Sequence, residues 1–344
     1  MKKPSGTIGS VFALAMASLL ASSPSQAIEL KVADSFPAGH FLVRLLLKPW
    51  MDDVIKRTNG AVTFNYFPSQ QMGKAADMLR ITQAGVVDIA YIAPAYISDK
   101  LPLSEVATLP ESFRSSCQGT RAYWKSARDG LLARHEYEPN KIRLMFVVTL
   151  PPELVFTVKR TIEKPEDFQG LKLRSSGGAQ DLMLRALGAI PVRMSAPDSY
   201  ESLARGTMDG LIFTMESIES YGLEKLVKHS TDSVTFGSFV IAYSMNQTVW
   251  NRLPDAVKKA IDEASEATVA KACADIEAEQ PESHKGLERA GLSFDPISED
   301  ATLRIKARLA EVAKEWAAAL DSRGKPASAV LKEYESLLAA SPAN

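Results

Sequence analysis

Along the first two thirds of the chain, short runs that alternate apolar and polar residues take turns with longer runs whose apolar residues fall at helical spacing. Ile28-Glu-Leu-Lys-Val-Ala-Asp34 alternates with period two and predicts a strand; a Ser-Phe-Pro-Ala-Gly loop and a helical run from His40 to Thr58 follow. Val62–Phe67 predicts a second strand that ends at Pro68. A helix from Ala75 to Ala84 then leads through Gly85 into an apolar strand, Ile89–Ala93. Strands alternating with helices predict an α/β fold with helices covering a mostly parallel sheet. The same local grammar recurs downstream: Gln83-Ala-Gly-Val-Val-Asp88 and Ala204-Arg-Gly-Thr-Met-Asp209 each read as a helix end, a glycine cap and an aspartate shortly before a buried strand. Two similar lobes would produce such an echo.

Lys141–Thr149 predicts a strand running into Pro151-Pro152, with a further extended run from Leu154 to Lys159. One lobe gives way to the next here, and the apolar stretch Ser238–Asn246 carries the chain back. Two lobes joined by two crossings make a hinge beside a cleft, the arrangement that closes on small ligands. The last third is helical, from Asp255 to about Ala278 and from Ser298 to Leu320, with Leu303, Ile305, Leu309, Val312 and Trp316 expected on a buried face. These helices are expected to brace both lobes. The expected division is 28–151 with about 240–278 in the first lobe, and 152–239 with about 279–344 in the second.

The N-terminus sets the compartment. Lys2 and Lys3 precede an apolar run from Val11 to Ala21, and Ser25-Gln-Ala27 places small residues where a signal peptidase reads, so residues 1–27 are expected to be a signal peptide. Its loss moves the formal charge from -1 to -3. A near-neutral chain of mixed sign excludes nucleic acid as the expected partner and argues against attachment to an anionic membrane. About 317 residues then remain, a size at which chains divide into two domains. Cys117 and Cys273 can pair in an oxidising compartment, although their spacing does not demand it. No cysteine or histidine cluster has metal-ligand spacing, and no nucleophile elbow or phosphate loop is present, so neither metal nor cofactor is expected.

One segment has the position of a ligand clamp. In Phe168-Gln-Gly-Leu-Lys-Leu-Arg174-Ser-Ser-Gly-Gly178 a short strand ends in Arg174, and a glycine turn opens a helix of leucines. Ligands of open α/β sheets sit at such strand ends, and a guanidinium fork matches a carboxylate with two parallel hydrogen bonds. Position alone leaves a structural ion pair as the alternative. Asp34 and His40 share the loop after the first strand, where they either cap and line a cleft or form an acid/base pair. Phe36, Tyr96, Phe156, Phe213, Phe236 and Phe239 recur at strand ends and loops, either as core or as the apolar wall of a pocket.

Over nearly all of the mature length the chain resembles the solute-binding subunits of tripartite ATP-independent periplasmic (TRAP) transporters. The likeness runs through Leu30-Lys-Val-Ala with Phe36-Pro37 and His40, Thr58-Asn-Gly60, Met72-Gly73, Ala84-Gly-Val-Val-Asp88, Leu109-Pro110 and Phe113. It continues through Pro165–Arg174, Tyr200–Gly210, Met245-Asn246, Trp250 and Leu253-Pro254. The resemblance implies a two-lobed periplasmic-binding-protein-like fold with a hinge, a central cleft and a long helix crossing both lobes. It also implies that Arg174 binds a ligand carboxylate, that the protein is not an enzyme, and that its partners are the TRAP membrane permease subunits; a monomer is expected, periplasmic once the signal peptide is cleaved near Ala27. Two departures bear on the ligand. Many relatives carry a second arginine where this chain has Leu154, and an asparagine motif where it has Asp209-Gly-Leu-Ile-Phe213. The expected ligand is therefore a monocarboxylate with an apolar or aromatic body, held by Arg174 and lined by Leu154, Phe156, Phe213, Phe36, His40, Tyr96 and Phe236. An exported enzyme acting on organic acids, or a ligand-presenting subunit of a membrane sensor, are the alternative readings.

Overall fold

The structure, a computed structural model, describes residues 27–232 and 234–341; the expected signal peptide lies outside them except for Ala27. The strands are β1 (Ile28–Ala33), β2 (Val62–Phe67), β3 (Ile89–Tyr91), β4 (Ile142–Thr149), β5 (Leu154–Thr157), β6 (Lys172–Ser175), β7 (Ile190–Arg193), β8 (Gly210–Phe213), β9 (His229–Thr231), β10 (Val240–Asn246) and β11 (Ser293–Asp295). The helices are α1 (Lys48–Arg57), α2 (Met78–Gln83), α3 (Ser116–Asp129), α4 (Gly178–Ala186), α5 (Ser199–Ala204), α6 (Met215–Ser220), α7 (Gln247–Arg252), α8 (Asp255–Arg289), α9 (Glu299–Leu309), α10 (Val312–Asp321) and α11 (Ala327–Ala339).

Two sheets form, in the orders β2-β1-β3-β10-β4 and β11-β9-β5-β8-β6-β7, one in each lobe. In the first, β10 enters antiparallel to both neighbours; in the second, β5 does so. These are the two strands that begin where the chain changes lobes. The echo seen in the sequence is the same device used twice. Asp88 accepts a hydrogen bond from the Lys31 N–H (2.7 Å), and Asp209 accepts one from the Lys172 N–H (2.8 Å), each pinning its strand parallel to the neighbour. Gly85 and Gly206 turn the chain into that position at φ 72° and 69°, a region that side chains disfavour.

The two crossings are bonded to each other. Leu150 N–H donates to Phe239 O (2.8 Å), Glu153 N–H to Gly237 O (3.0 Å), and Phe236 N–H to Glu153 O (2.8 Å). A two-stranded hinge results, with few groups to rearrange when the lobes move.

Helix α8 continues to Arg289, beyond the expected end near Ala278, and it does so through Pro281. A proline inside a helix removes one hydrogen bond and crowds the preceding turn. Packing at both ends holds the helix together: α1, α3 and β4 lie against it in the first lobe, α6 in the second, and Leu287 is fully buried in the second lobe's apolar cluster. The expected single run from Ser298 to Leu320 is two helices, α9 and α10. Ile305, Leu309, Val312 and Trp316 are buried, but Leu303 is 62% exposed, because two residues along a helix reach the opposite face from Ile305. Both helices pack on α4, whereas α11 returns to α3 in the first lobe, apart from the expected grouping of 279–344 with the second.

Cys117 of α3 and Cys273 of α8 form a disulfide that closes a 156-residue separation. Cross-linking a loop of that length restricts the unfolded chain and typically adds about 2–4 kcal/mol. Replacing both cysteines by alanine is expected to lower the Tm by roughly 3–6 °C, read by calorimetry. An unchanged Tm would mean that the bond contributes nothing to stability.

Candidate functional site

Arg174 is 1% exposed although it lies near the end of β6, where the pleat turns Leu173 into the core and Arg174 away from it. Its guanidinium faces a narrow space between the lobes, with about 30 Å³ free for the centres of water-sized molecules. Phe36, His40, Leu42, Tyr91, Tyr96, Leu150 and Ile241 line that space from the first sheet and its loops. Glu153, Ala196, Phe213, Ser217, Tyr221 and Phe239 complete the wall.

The guanidinium is oriented by neutral groups. Nε donates to Met194 O (3.2 Å), Nη1 to Ile212 O at 3.5 Å, and Nη2 to Tyr96 Oη at 3.3 Å. Phe213 stacks under it, with Cζ 4.7 Å from the ring centroid. No carboxylate lies within ion-pair distance of Arg174 among the described residues. Glu153 lines the same space; burial pushes its carboxyl up to about 8, and it accepts from Gln180 Nε2 (2.8 Å). Burial thus disfavours the charged form of Glu153 beside a buried guanidinium that has no ion-pair partner among the described residues, an arrangement that a bound anion would stabilise.

The loop after β1 brings Phe36 and His40 to the wall. Buried Asp34 accepts hydrogen bonds from Tyr66 Oη and Tyr243 Oη (2.8 Å each) and from Phe36 N–H (3.0 Å), which fixes the loop. Burial raises the Asp34 carboxyl to about 6. Its hydrogen bonds go to those three groups, and His40 is not among them, so the pair does not form the acid/base dyad considered from sequence. His40 instead accepts from Leu42 N–H at Nδ1 (3.2 Å), and burial lowers its pKa to about 3, leaving a neutral ring.

Across the cleft, the turn before α4 meets the first lobe. No side chain of its own caps this helix; Glu105 does so from the opposite lobe, accepting from Ala179 N–H at 2.7 Å. Arg193 donates to Ala95 O (3.3 Å) and to Ser98 Oγ, and Ala196 N–H donates to Tyr96 Oη at 2.9 Å. These bonds hold the lobes together around the cavity.

Of the residues expected at the site from sequence, Arg174, Phe36, His40, Tyr96 and Phe213 share one cavity. Leu154, Phe156 and Phe236 lie elsewhere. On β5, Leu154 and Phe156 face the apolar cluster of the second lobe, while Glu153, one residue earlier and so on the opposite side of the pleat, reaches the cavity. Phe236 is fully buried against Phe168, ring centroids 5.6 Å apart. Sequence reasoning missed Tyr91, Glu153 and Tyr221. A lone glutamate after Pro151-Pro152, at the crossing between lobes, was the signal available for Glu153.

The sequence matches the bacterial extracellular solute-binding protein family 7 over residues 33–319. The C4-dicarboxylate-binding periplasmic protein DctP of Rhodobacter capsulatus is 26% identical over 223 residues, 61% of this chain and 62% of that one. Two solved structures share the fold. One is a TRAP solute binding protein from an unidentified marine microbe, specific for aromatic acid ligands and in complex with 3-hydroxybenzoate (TM-score 0.86, 24% identity, 92% of this chain and 99% of that one). The other, from Rhodoferax ferrireducens, holds copurified benzoate (TM-score 0.85, 24% identity, 91% and 98%). No helix among the described residues is long and apolar enough to cross a membrane.

Proposed function

The chain belongs to family 7 of the bacterial extracellular solute-binding proteins, the binding subunits of TRAP transporters, and from that premise we propose that it captures an aromatic or similarly apolar monocarboxylate by an Arg174 clamp. Members of this family bind solutes, are not enzymes, and work with TRAP membrane components. The acid enters the open cleft and the lobes close about the bonded crossings at 150–153 and 236–239. The closed form then delivers it to the permease subunits from the periplasm. Closure is favoured to the extent that the acid touches both lobes.

The observation that carries this reading is a buried guanidinium with no ion-pair partner among the described residues, in a cavity whose wall is mostly aromatic and aliphatic, with His40, Glu153 and Ser217 as its other polar members. A carboxylate supplies the missing charge and takes up the fork, while Phe36, Tyr91, Phe213 and Phe239 surround an apolar body. A second carboxylate would meet no second cation, since His40 is held neutral and Glu153 is acidic. The benzoate and 3-hydroxybenzoate bound by the two structural relatives support the same class.

A thermal-shift panel tests the choice. Benzoate and related aromatic acids at about 100 times their Kd are expected to stabilise the protein by about 2.7 kcal/mol, a rise of several degrees, with succinate and malate without effect. Stabilisation by succinate or malate but not by aromatic acids would overturn the assignment.

A further inference from the structure

Two polar atoms in the cavity have no hydrogen-bond partner within the protein, His40 Nε2 and Tyr221 Oη. They come from opposite lobes, and the rings that carry them meet edge to face, with centroids 5.1 Å apart and planes at 67°. His40 is 1% exposed, and the Tyr221 hydroxyl is shut off from solvent although the residue as a whole is half-buried. Since His40 Nδ1 accepts the Leu42 N–H, the ring proton sits on Nε2, and that atom is a donor in need of an acceptor. The tyrosine hydroxyl both donates and accepts.

Burying such groups without partners costs desolvation that a ligand recovers when it supplies them. A neutral hydroxyl needs no counter-charge in this buried corner, where no cation is added beside the His40 ring. A hydroxyl fits both atoms: it accepts from His40 Nε2–H and donates to Tyr221 Oη. Phe213 connects this corner to the charged one, its ring lying 4.7 Å from Arg174 Cζ and 6.1 Å from the Tyr221 ring. An aromatic body held at Arg174 thus has an apolar surface leading toward the two unpaired atoms.

We propose that His40 Nε2 and Tyr221 Oη form a hydroxyl-binding subsite, so that the cleft selects hydroxylated aromatic monocarboxylates over their unsubstituted parents. This rests on the reading that Arg174 holds the carboxylate. Because the two atoms belong to different lobes, the ligand hydroxyl also ties the lobes together and favours the closed state.

Titration calorimetry with benzoate and its 2-, 3- and 4-hydroxy derivatives tests the subsite on the wild type, Tyr221→Phe and His40→Phe. At least one hydroxy isomer is expected to bind the wild type about tenfold or more tighter than benzoate. Tyr221→Phe, which removes only an unpartnered oxygen, is expected to weaken binding of that isomer more than binding of benzoate, so that most of the advantage is lost. His40→Phe is expected to reduce the same advantage. If every hydroxy isomer binds the wild type within about twofold of benzoate, or if both variants keep the full advantage, the subsite is wrong and the Arg174 clamp stands. If benzoate and all its derivatives fail to bind the wild type, the clamp reading itself is wrong.

Discussion

Arg174→Lys is expected to raise the Kd for benzoate by about 100-fold, and Arg174→Ala by about 1,000-fold or more. Lysine keeps the charge but loses the planar fork, so the difference between the two variants separates geometry from charge. The substitution also removes the bonds from Arg174 to Met194 O, Ile212 O and Tyr96 Oη, which position the guanidinium. These partners are neutral and the bonds run from 3.2 to 3.5 Å, so the ligand-free protein should lose little stability. Calorimetric titration reads the affinities, and the melting temperature without ligand controls for folding. Tight binding of benzoate by Arg174→Lys would remove the fork from the account.

Gly178→Ala should weaken binding by about 10- to 100-fold through closure alone. A Cβ at this position collides with the carboxylate of Glu105 from the opposite lobe. The methyl group therefore displaces Glu105 from the Ala179 N–H and holds the cleft ajar. Gly178 also sits at φ 49°, where alanine costs roughly 1–2 kcal/mol in open and closed states alike. The two effects separate by measurement. Backbone strain lowers the Tm without ligand, whereas the collision raises the Kd and keeps the radius of gyration large in saturating ligand by small-angle scattering. A variant that closes and binds like the wild type would show that Glu105 yields freely and is no latch.

Where period-two alternation and glycine breaks bound an element, the sequence predicted it closely: β2 spans the expected residues, and Arg174 sits near the end of β6 as its leucine-lysine-leucine pattern implied. The Asp88 and Asp209 echo was legible for the same reason, because each aspartate bonds a neighbouring strand through local geometry. The cavity wall was less legible, because it depends on which side of a strand meets the other lobe. On β5 the spacing of a second arginine in many relatives, counted back from Arg174, pointed at Leu154, while the pleat aims Glu153 into the cavity and Leu154 into the core. Tyr221 follows α6 and lies in the cavity wall beside His40 of the other lobe, and nothing in its local sequence states that. The pairing of Cys117 with Cys273 and the survival of α8 through Pro281 likewise depend on packing between segments distant in the sequence.

The central claim is that a carboxylate of an aromatic acid is clamped by Arg174 between closed lobes. A crystal structure of the protein with 3-hydroxybenzoate tests it most directly. The account predicts the carboxylate in two parallel hydrogen bonds with the Arg174 guanidinium, the ring against Phe213, and the hydroxyl at His40 Nε2 and Tyr221 Oη. A ligand bound with its carboxylate away from Arg174, or outside the space between the lobes, would contradict it.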